Sequence, residues 1–274
     1  MSEQSLSFTG GSLRFESAYH LLRPWRWLFN PVYHGFDNVP GHNQLMFVGN
    51  HTLFGLIDAP LLLSELWREK GLWPRPLGDH IHFKVPGWRE LLTAFGVVDG
   101  TRENCAAVMQ NGDPLVVFPG GAREVAKRKG EKYKLIWKER TGFVRMAMQH
   151  GYTIVPFAAV GVEDAYDVKM DADEIMETNI GGWIRGLGIR QDLLWPIATG
   201  VGPTPLPRPQ RLYFKICEPI ETEPYMNDYE DLETRLLLRE EVQTSIETAI
   251  DELLDIQAND PERVRWPELF GSSS

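Results

Sequence analysis

Cysteine is scarce in this chain, with only Cys105 and Cys217 among 274 residues. Two thiols allow one pairing at most and make no C-x-x-C ladder, so neither a disulfide framework nor a structural zinc site is expected. None is needed, because a chain of this length forms a single ample core or little more. Missing too is any apolar run approaching the roughly 20 residues that span a bilayer. Residues 1–15 are rich in Ser and Gly and lack the basic-then-apolar plan of a signal peptide. The expectation is a cytoplasmic protein that meets membranes only peripherally.

A general excess of positive charge is also absent. Lys plus Arg number 28 against 38 Asp plus Glu, for a formal charge of −10, which argues against nucleic acid as a partner. One stretch departs from this: Arg123 to Arg145 holds nine Lys or Arg and three Glu, a net of +6 that leaves −16 for the rest. No G-x-S-x-G elbow, Walker loop or G-x-G-x-x-G occurs, so the nucleophile setting of an α/β-hydrolase is missing.

What is present is an alternation of short apolar runs with helical patterns. Gln44 to Gly49 is long enough for a buried strand and too short for a helix. Ala59 to Lys70 carries Leu61, Leu62, Leu66 and Trp67 at helical spacing, and Pro74 and Pro76 end it. Trp88 to Phe95, Glu103 to Gln110 and Gly142 to His150 read as helices; Gly96 to Val98, Leu115 to Phe118, Thr153 to Val160 and Arg211 to Ile216 read as strands. Tyr229 to Gln257 reads as a long charged helix covering one sheet face. The pattern predicts an α/β class: one sandwich domain with a mostly parallel central sheet flanked by helices. Residues 1–40 are expected to form an amphipathic N-terminal segment, residues 41–274 the main domain, 179–209 an apolar Gly/Pro-rich flap and 227–258 its last helix.

Two sites on this frame can carry chemistry. Asn50-His51 directly follows the first buried strand, where strand-to-helix loops place functional groups at the carboxyl edge of the sheet. Pro119-Gly120-Gly121 follows Val116 to Phe118 and opens a helix, so backbone N–H groups there can approach a ligand closely. A core histidine and a tight turn are the plain alternatives.

These blocks, with Phe95-Gly96-Val97-Val98, Arg102 and Ile154-Val155-Pro156, resemble in order and spacing the glycerolipid acyltransferase superfamily across roughly residues 40 to 165. GGxxE is met by Gly120 to Glu124, and RxGFxRxAxxxGxxxVP runs from Arg140 to Pro156. Both are similar to the branch of diacylglycerol acyltransferases and the acyltransferase part of plant phytyl ester synthases. Two positions depart from the phosphate-handling relatives. The acid expected five positions after His51 is Leu56, with Asp58 the first acid, and the Glu and Thr of the FPEGTR-type block are Gly120 and Ala122.

The resemblance implies transfer of an acyl group from a thioester, with acyl-CoA as co-substrate and no cofactor, to a lipid hydroxyl. The lost phosphate-binding block favours a neutral acceptor such as diacylglycerol or a long-chain alcohol. Glycerol 3-phosphate or a lysophospholipid, thioester hydrolysis, and a catalytically idle lipid-binding protein are the alternatives. His51 is the expected general base, because imidazole takes and returns protons near neutral pH. Asp58 and Glu124 compete to orient it. One regular helix would hold Asp58 about 10 Å away, so Asp58 serves only if Thr52 to Leu56 loops. Asn50 and Pro119 are expected to line the substrate. Backbone amides of Gly120 and Gly121 are expected to hold the oxyanion, while Arg102 and Arg123 bind phosphate and the Lys127 to Lys138 cluster attracts it. A metal at Asp79-His80-Ile81-His82 is not expected. Trp183, Leu187, Leu194 and Trp195 either line an acyl path, dip into lipid, or pack as core.

Overall fold

The computed structural model describes residues 12–186, 191 and 194–265. In chain order the elements are α1 (Ser12–Leu21), α2 (Arg23–Phe29), β1 (Val32–His34), β2 (Leu45–Gly49), α3 (Asp58–Lys70), β3 (Arg75–Gly78), α4 (Trp88–Ala94), β4 (Val98–Asp99), α5 (Arg102–Gln110) and β5 (Leu115–Val117). They continue with α6 (Gly121–Val125), α7 (Gly142–His150), β6 (Thr153–Val160), β7 (Asp167–Met170), α8 (Ala172–Glu177), α9 (Asn179–Gly186), β8 (Ile197–Thr199), β9 (Tyr213–Ile216) and α10 (Leu232–Asn259).

Seven strands form one sheet in the order β1-β9-β6-β2-β5-β3-β4, and β7 and β8 form a separate antiparallel pair. β6, β2, β5, β3 and β4 run parallel, whereas β9 is antiparallel to β6 and carries β1 parallel to itself. A parallel strand covered on both faces must be apolar throughout rather than alternating. β2 and β6 obey this, with every residue buried.

Two apolar layers close the faces. On one, Leu238, Val242, Ile246, Ala249, Ile250 and Leu253 of α10 pack with α7 over β6. On the other, Leu61, Leu62 and Leu66 of α3 pack on Phe47, Phe157 and Phe214. Each such fully buried side chain contributes about 1.5–3 kcal/mol relative to exposure. This is the sandwich with a mostly parallel sheet that the alternating pattern predicts.

Departures are local. Val32–His34 joins the sheet in register with Tyr213–Lys215, so the end of the expected N-terminal segment is part of the main core. Pro76 does not lie in a loop: Arg75–Gly78 is a strand, with Pro74 just before it. The Arg75 amide bonds the Pro114 carbonyl at 2.7 Å, and β4 pairs only with Leu77 and Gly78. The N–H that Pro76 lacks therefore faces a side with no partner strand, and the proline is tolerated. The span 179–209 contains α9 and β8, and Leu187 lies outside the described residues. The last helix starts at Leu232, where the Asp231 carboxylate accepts the Thr234 amide at 2.8 Å. No helix among the described residues is long and apolar enough to cross a membrane.

Candidate active site

β2 ends at Gly49 and its neighbour β5 ends at Val117, so the residues beyond them emerge side by side at the carboxyl edge of the sheet. The chain leaves β2, skips a place to build β3 and β4, and returns as β5 beside β2. Ligand sites in open α/β sheets form at such edges. Here His51 and Phe118 meet. Their rings stack with centroids 4.1 Å apart and planes within 15°.

The segment after His51 is a loop, and helix α3 begins only at Asp58. Phe54 and Gly55 both adopt positive φ, 64° and 60°, and the Phe54 amide donates to the Val125 carbonyl at 3.1 Å. That bond ties the His51 loop to the end of α6. Asp58 is buried, and its carboxyl faces the Thr52 hydroxyl and the Ala59 amide. Burial raises its pKa.

Glu124 is fully buried in the same region. Its carboxyl folds back over Gly120, so close that a Cβ at Gly120 would lie 1.7 Å from Oε2. It faces the His51 amide and the Trp137 indole, with Lys127 nearby. Burial pushes its pKa up to about 8, more than Lys127 and these donors draw it down. The His51 ring keeps some solvent contact but sits among apolar groups, and this desolvation, followed by the charges of Lys127 and His82, lowers its pKa to about 3.

Buried polar atoms normally find partners, yet several here have none: His51 Nδ1, Thr52 Oγ1, Asp58 Oδ1, both Glu124 oxygens and Trp137 Nε1. Such a concentration of unmet groups marks a place where function overrides local satisfaction. His51 Nε2 is not among the buried orphans, so this nitrogen is the one open to a reactant, while Nδ1 points inward.

The expected residues divide into two groups. His51, Asp58, Pro119, Gly120 and Glu124 are brought together. Asn50 is buried beside them but is spent on structure: its amide donates to the Ala159 carbonyl at 2.9 Å and accepts from the Ala159 N–H at 2.8 Å. It extends the β2–β6 ladder one step after β2 has ended, so both arms of its amide are engaged within the sheet. The Gly121 amide bonds the Phe118 carbonyl at 3.0 Å. It closes the turn and is not an oxyanion donor; Gly120 N–H keeps no such main-chain bond.

Arg123 also departs from expectation. Its guanidinium is bidentate to Glu131, at 2.9 and 2.5 Å, which leaves little of the fork for phosphate. Arg102 is exposed at the start of α5, beyond β4. Three strand spacings, roughly 14 Å, separate it from β2 along the same edge. The basic stretch is largely neutralised: Arg123, Lys127, Arg128, Lys129, Lys132 and Arg145 each pair with an acid, leaving Lys134, Lys138 and Arg140 without a salt bridge among the described residues.

Arg140 has a role that spacing alone did not reveal. Its Nη1 donates to the carbonyls of Pro119 and Gly120 at 2.7 and 2.9 Å, pinning the turn opposite His51 from an otherwise exposed side chain. Nearby at the sheet edge, His80 Nδ1 lies 2.9 Å from Asp99 and His82 accepts from the Trp88 indole at 3.3 Å. Among the described residues no group of three or more His, Cys, Asp or Glu could hold a metal ion.

Comparison with known proteins identifies the family. A family model described as Acyltransferase matches residues 30–160, the span that runs from just after α2 through β6 and includes every residue of the cluster. The chain belongs to the acyltransferase superfamily. This acyltransferase domain is 30% identical over 247 residues to phytyl ester synthase 1, chloroplastic, of Arabidopsis thaliana, covering 84% of this chain and 35% of that protein. It is 30% identical over 133 residues to the "DGAT1/2-independent enzyme synthesizing storage lipids" of Bos taurus, covering 48% of this chain and 39% of that one. The chain thus spans well under half the length of these relatives. In fold, the acyltransferase domain is similar to the 1-acyl-sn-glycerophosphate acyltransferase of Thermotoga maritima, with a TM-score of 0.55, 18% identity, and coverage of 92% of this chain and 86% of that one.

Proposed function

We propose that this domain moves a fatty acyl group from acyl-CoA to the hydroxyl of a neutral lipid, diacylglycerol or a long-chain alcohol, with His51 as general base. The observation that carries this reading is the His51–Phe118 stack, which sets an imidazole against the Pro119-Gly120 turn with a buried carboxyl, Glu124, beside it. His51 Nε2 takes the proton of the acceptor hydroxyl as its oxygen attacks the thioester carbonyl carbon. The tetrahedral oxyanion rests on the Gly120 amide. The C–S bond then breaks, and the imidazolium returns the proton to the leaving thiolate.

For the base to act, Nδ1 must carry the hydrogen and donate it to a carboxylate. Glu124 is the better partner, since its carboxyl lies against the His51 main chain, whereas Asp58 faces Thr52 and the start of α3. The neutral acceptor is supported by the relatives' names, by Gly120 and Ala122 in the phosphate-binding block, and by the closure of Arg123 onto Glu131. A peripheral place on a lipid surface is supported by Leu56, 49% exposed in the His51 loop, and by Trp183 and Trp195, 80% and 43% exposed. The Trp195 ring leans on Phe54 of the same loop at 5.4 Å.

Labelled oleoyl-CoA offered with dioleoylglycerol, a long-chain alcohol, lysophosphatidic acid or water alone tests the reading. Ester formation on a neutral acceptor, abolished in His51→Ala, is expected. Preference for the phosphorylated acceptor, release of free fatty acid regardless of acceptor, or equal turnover by His51→Ala would each overturn it.

A further inference from the structure

Lys127 and Glu163 are 3% and 5% exposed, and Lys127 Nζ lies 2.6 Å from Glu163 Oε1. The second Glu163 oxygen accepts the Tyr133 amide at 2.5 Å. Lys127 stands two residues beyond α6, whose last carbonyl holds the Phe54 amide. Glu163 follows β6, the other neighbour of β2. The pair therefore joins the loop after β5 to the turn after β6, with the His51 loop bonded to the first of these.

Attachment alone does not account for burying two charges. The same basic loop is already fastened by Arg128–Asp173, Lys129–Glu174 and Lys132–Asp164, all more exposed. Desolvating an ion pair costs several kcal/mol per ion, and a packed apolar pair often does as well or better for stability. We infer that the Lys127–Glu163 pair is a positioning element of the reaction centre, a fixed dipole of charge beside Glu124 that governs the ionisation of that carboxyl.

His51 is acted on by Lys127 and His82. Glu124 is acted on by Lys127, the His51 amide, Glu163 and Trp137. Asp58 is acted on by Thr52, its neighbouring amides and Glu163. Lys127 favours the ionised form of Glu124 and Glu163 opposes it, so removing them one at a time must move Glu124 in opposite directions. A merely structural pair has no such sign. The inference rests on the base reading above.

The test follows the Glu124 carboxyl itself, in the full chain labelled with 13Cδ glutamate and titrated from pH 6 to 10, the resonance being assigned by its loss in Glu124→Gln. Lys127→Met is expected to raise the midpoint and Glu163→Gln to lower it, each by about tenfold in proton affinity. The acid limb of kcat/KM for oleoyl-CoA with dioleoylglycerol in mixed micelles should move the same way. Unmoved midpoints, or shifts in one common direction, overturn the inference. If either single variant fails to fold, Lys127→Met/Glu163→Gln decides: Lys127 is the stronger influence, so a raised midpoint supports the inference and an unchanged one overturns it. The carboxyl titration needs no turnover, so its outcome and that of the acyl-transfer assay are separable.

Discussion

The imidazole of His51 lies directly over Gly55: a Cβ at that glycine would fall 2.1 Å from Cε1 and 2.7 Å from Nδ1. With Phe118 stacked on the ring at 4.1 Å, the base is held between a glycine and a phenyl ring. Gly55→Ala must push the ring off this seat, and its φ of +60° is already unfavourable for alanine. The expected cost to folding is about 1–2 kcal/mol, but displacement of a reacting group by an ångström costs on the order of 100-fold in rate. Steady-state kcat beside a urea melt checks this; a variant with wild-type kcat would separate the seat from the chemistry.

Asn50 sits next to the base yet should behave as a stability residue. Both arms of its amide are spent on Ala159, so Asn50→Ala strands a buried N–H and a buried C=O. Each orphan costs about 1–3 kcal/mol, and urea unfolding should give a loss on the order of 2–4 kcal/mol with the donor KM unchanged. Asn50→Asp should also destabilise, because an ionised carboxylate cannot donate to the Ala159 carbonyl. A raised KM with normal stability would return Asn50 to the substrate.

How far the sequence could foretell this arrangement depended on periodicity and on turn chemistry. β2, β6 and α7 are long or apolar enough to be read directly, and the Gly-Gly after β5 signals a turn whatever its purpose. The strand Arg75–Gly78 was hidden by Pro76, since its tolerance depends on which side of β3 has a partner at that point. Arg123 and Arg140 are indistinguishable as cations in sequence. Only the fold decides that Glu131 captures one and that the other reaches back to Pro119 and Gly120. Likewise, nothing local to Asn50 reveals that β6 outruns β2 at that point.

The two arginines predict opposite phenotypes. Arg140→Ala removes two charge-assisted bonds from the turn that faces His51, each worth about 1.5–3 kcal/mol. If about 1.4–3 kcal/mol of that is lost in the transition state, kcat/KM falls roughly 10–100-fold. Arg123→Ala instead leaves Glu131 without its bidentate partner and should lower stability by about 1–3 kcal/mol with kcat/KM preserved in the folded fraction. Parallel kinetics and thermal melts separate them. If Arg123→Ala raised the KM for acyl-CoA tenfold without loss of stability, the pairing with Glu131 would be secondary to phosphate binding.

Glu124 links activity to stability through one proton. Its pKa in the folded chain is pushed up to about 8, whereas an unfolded glutamate ionises near 4.3. Between those values the folded state holds a proton that the unfolded state has released, so stability is greatest below the lower value, falls as pH rises through the window, and levels off above about 8. Glu124→Gln removes this dependence and should be more stable than wild type at pH 8, on the order of 2–4 kcal/mol, with little gain at pH 4. Catalysis runs the other way. Only the ionised carboxyl accepts the Nδ1 hydrogen, so kcat/KM should climb with pH to a plateau above about 8, and Glu124→Gln should lose that limb with at least about 100-fold of the rate. Thermal melts and kcat/KM profiles from pH 5 to 9.5 on both proteins check the two slopes together. A glutamine variant that is active and keeps the wild-type profile would leave Asp58 as the carboxyl that serves His51.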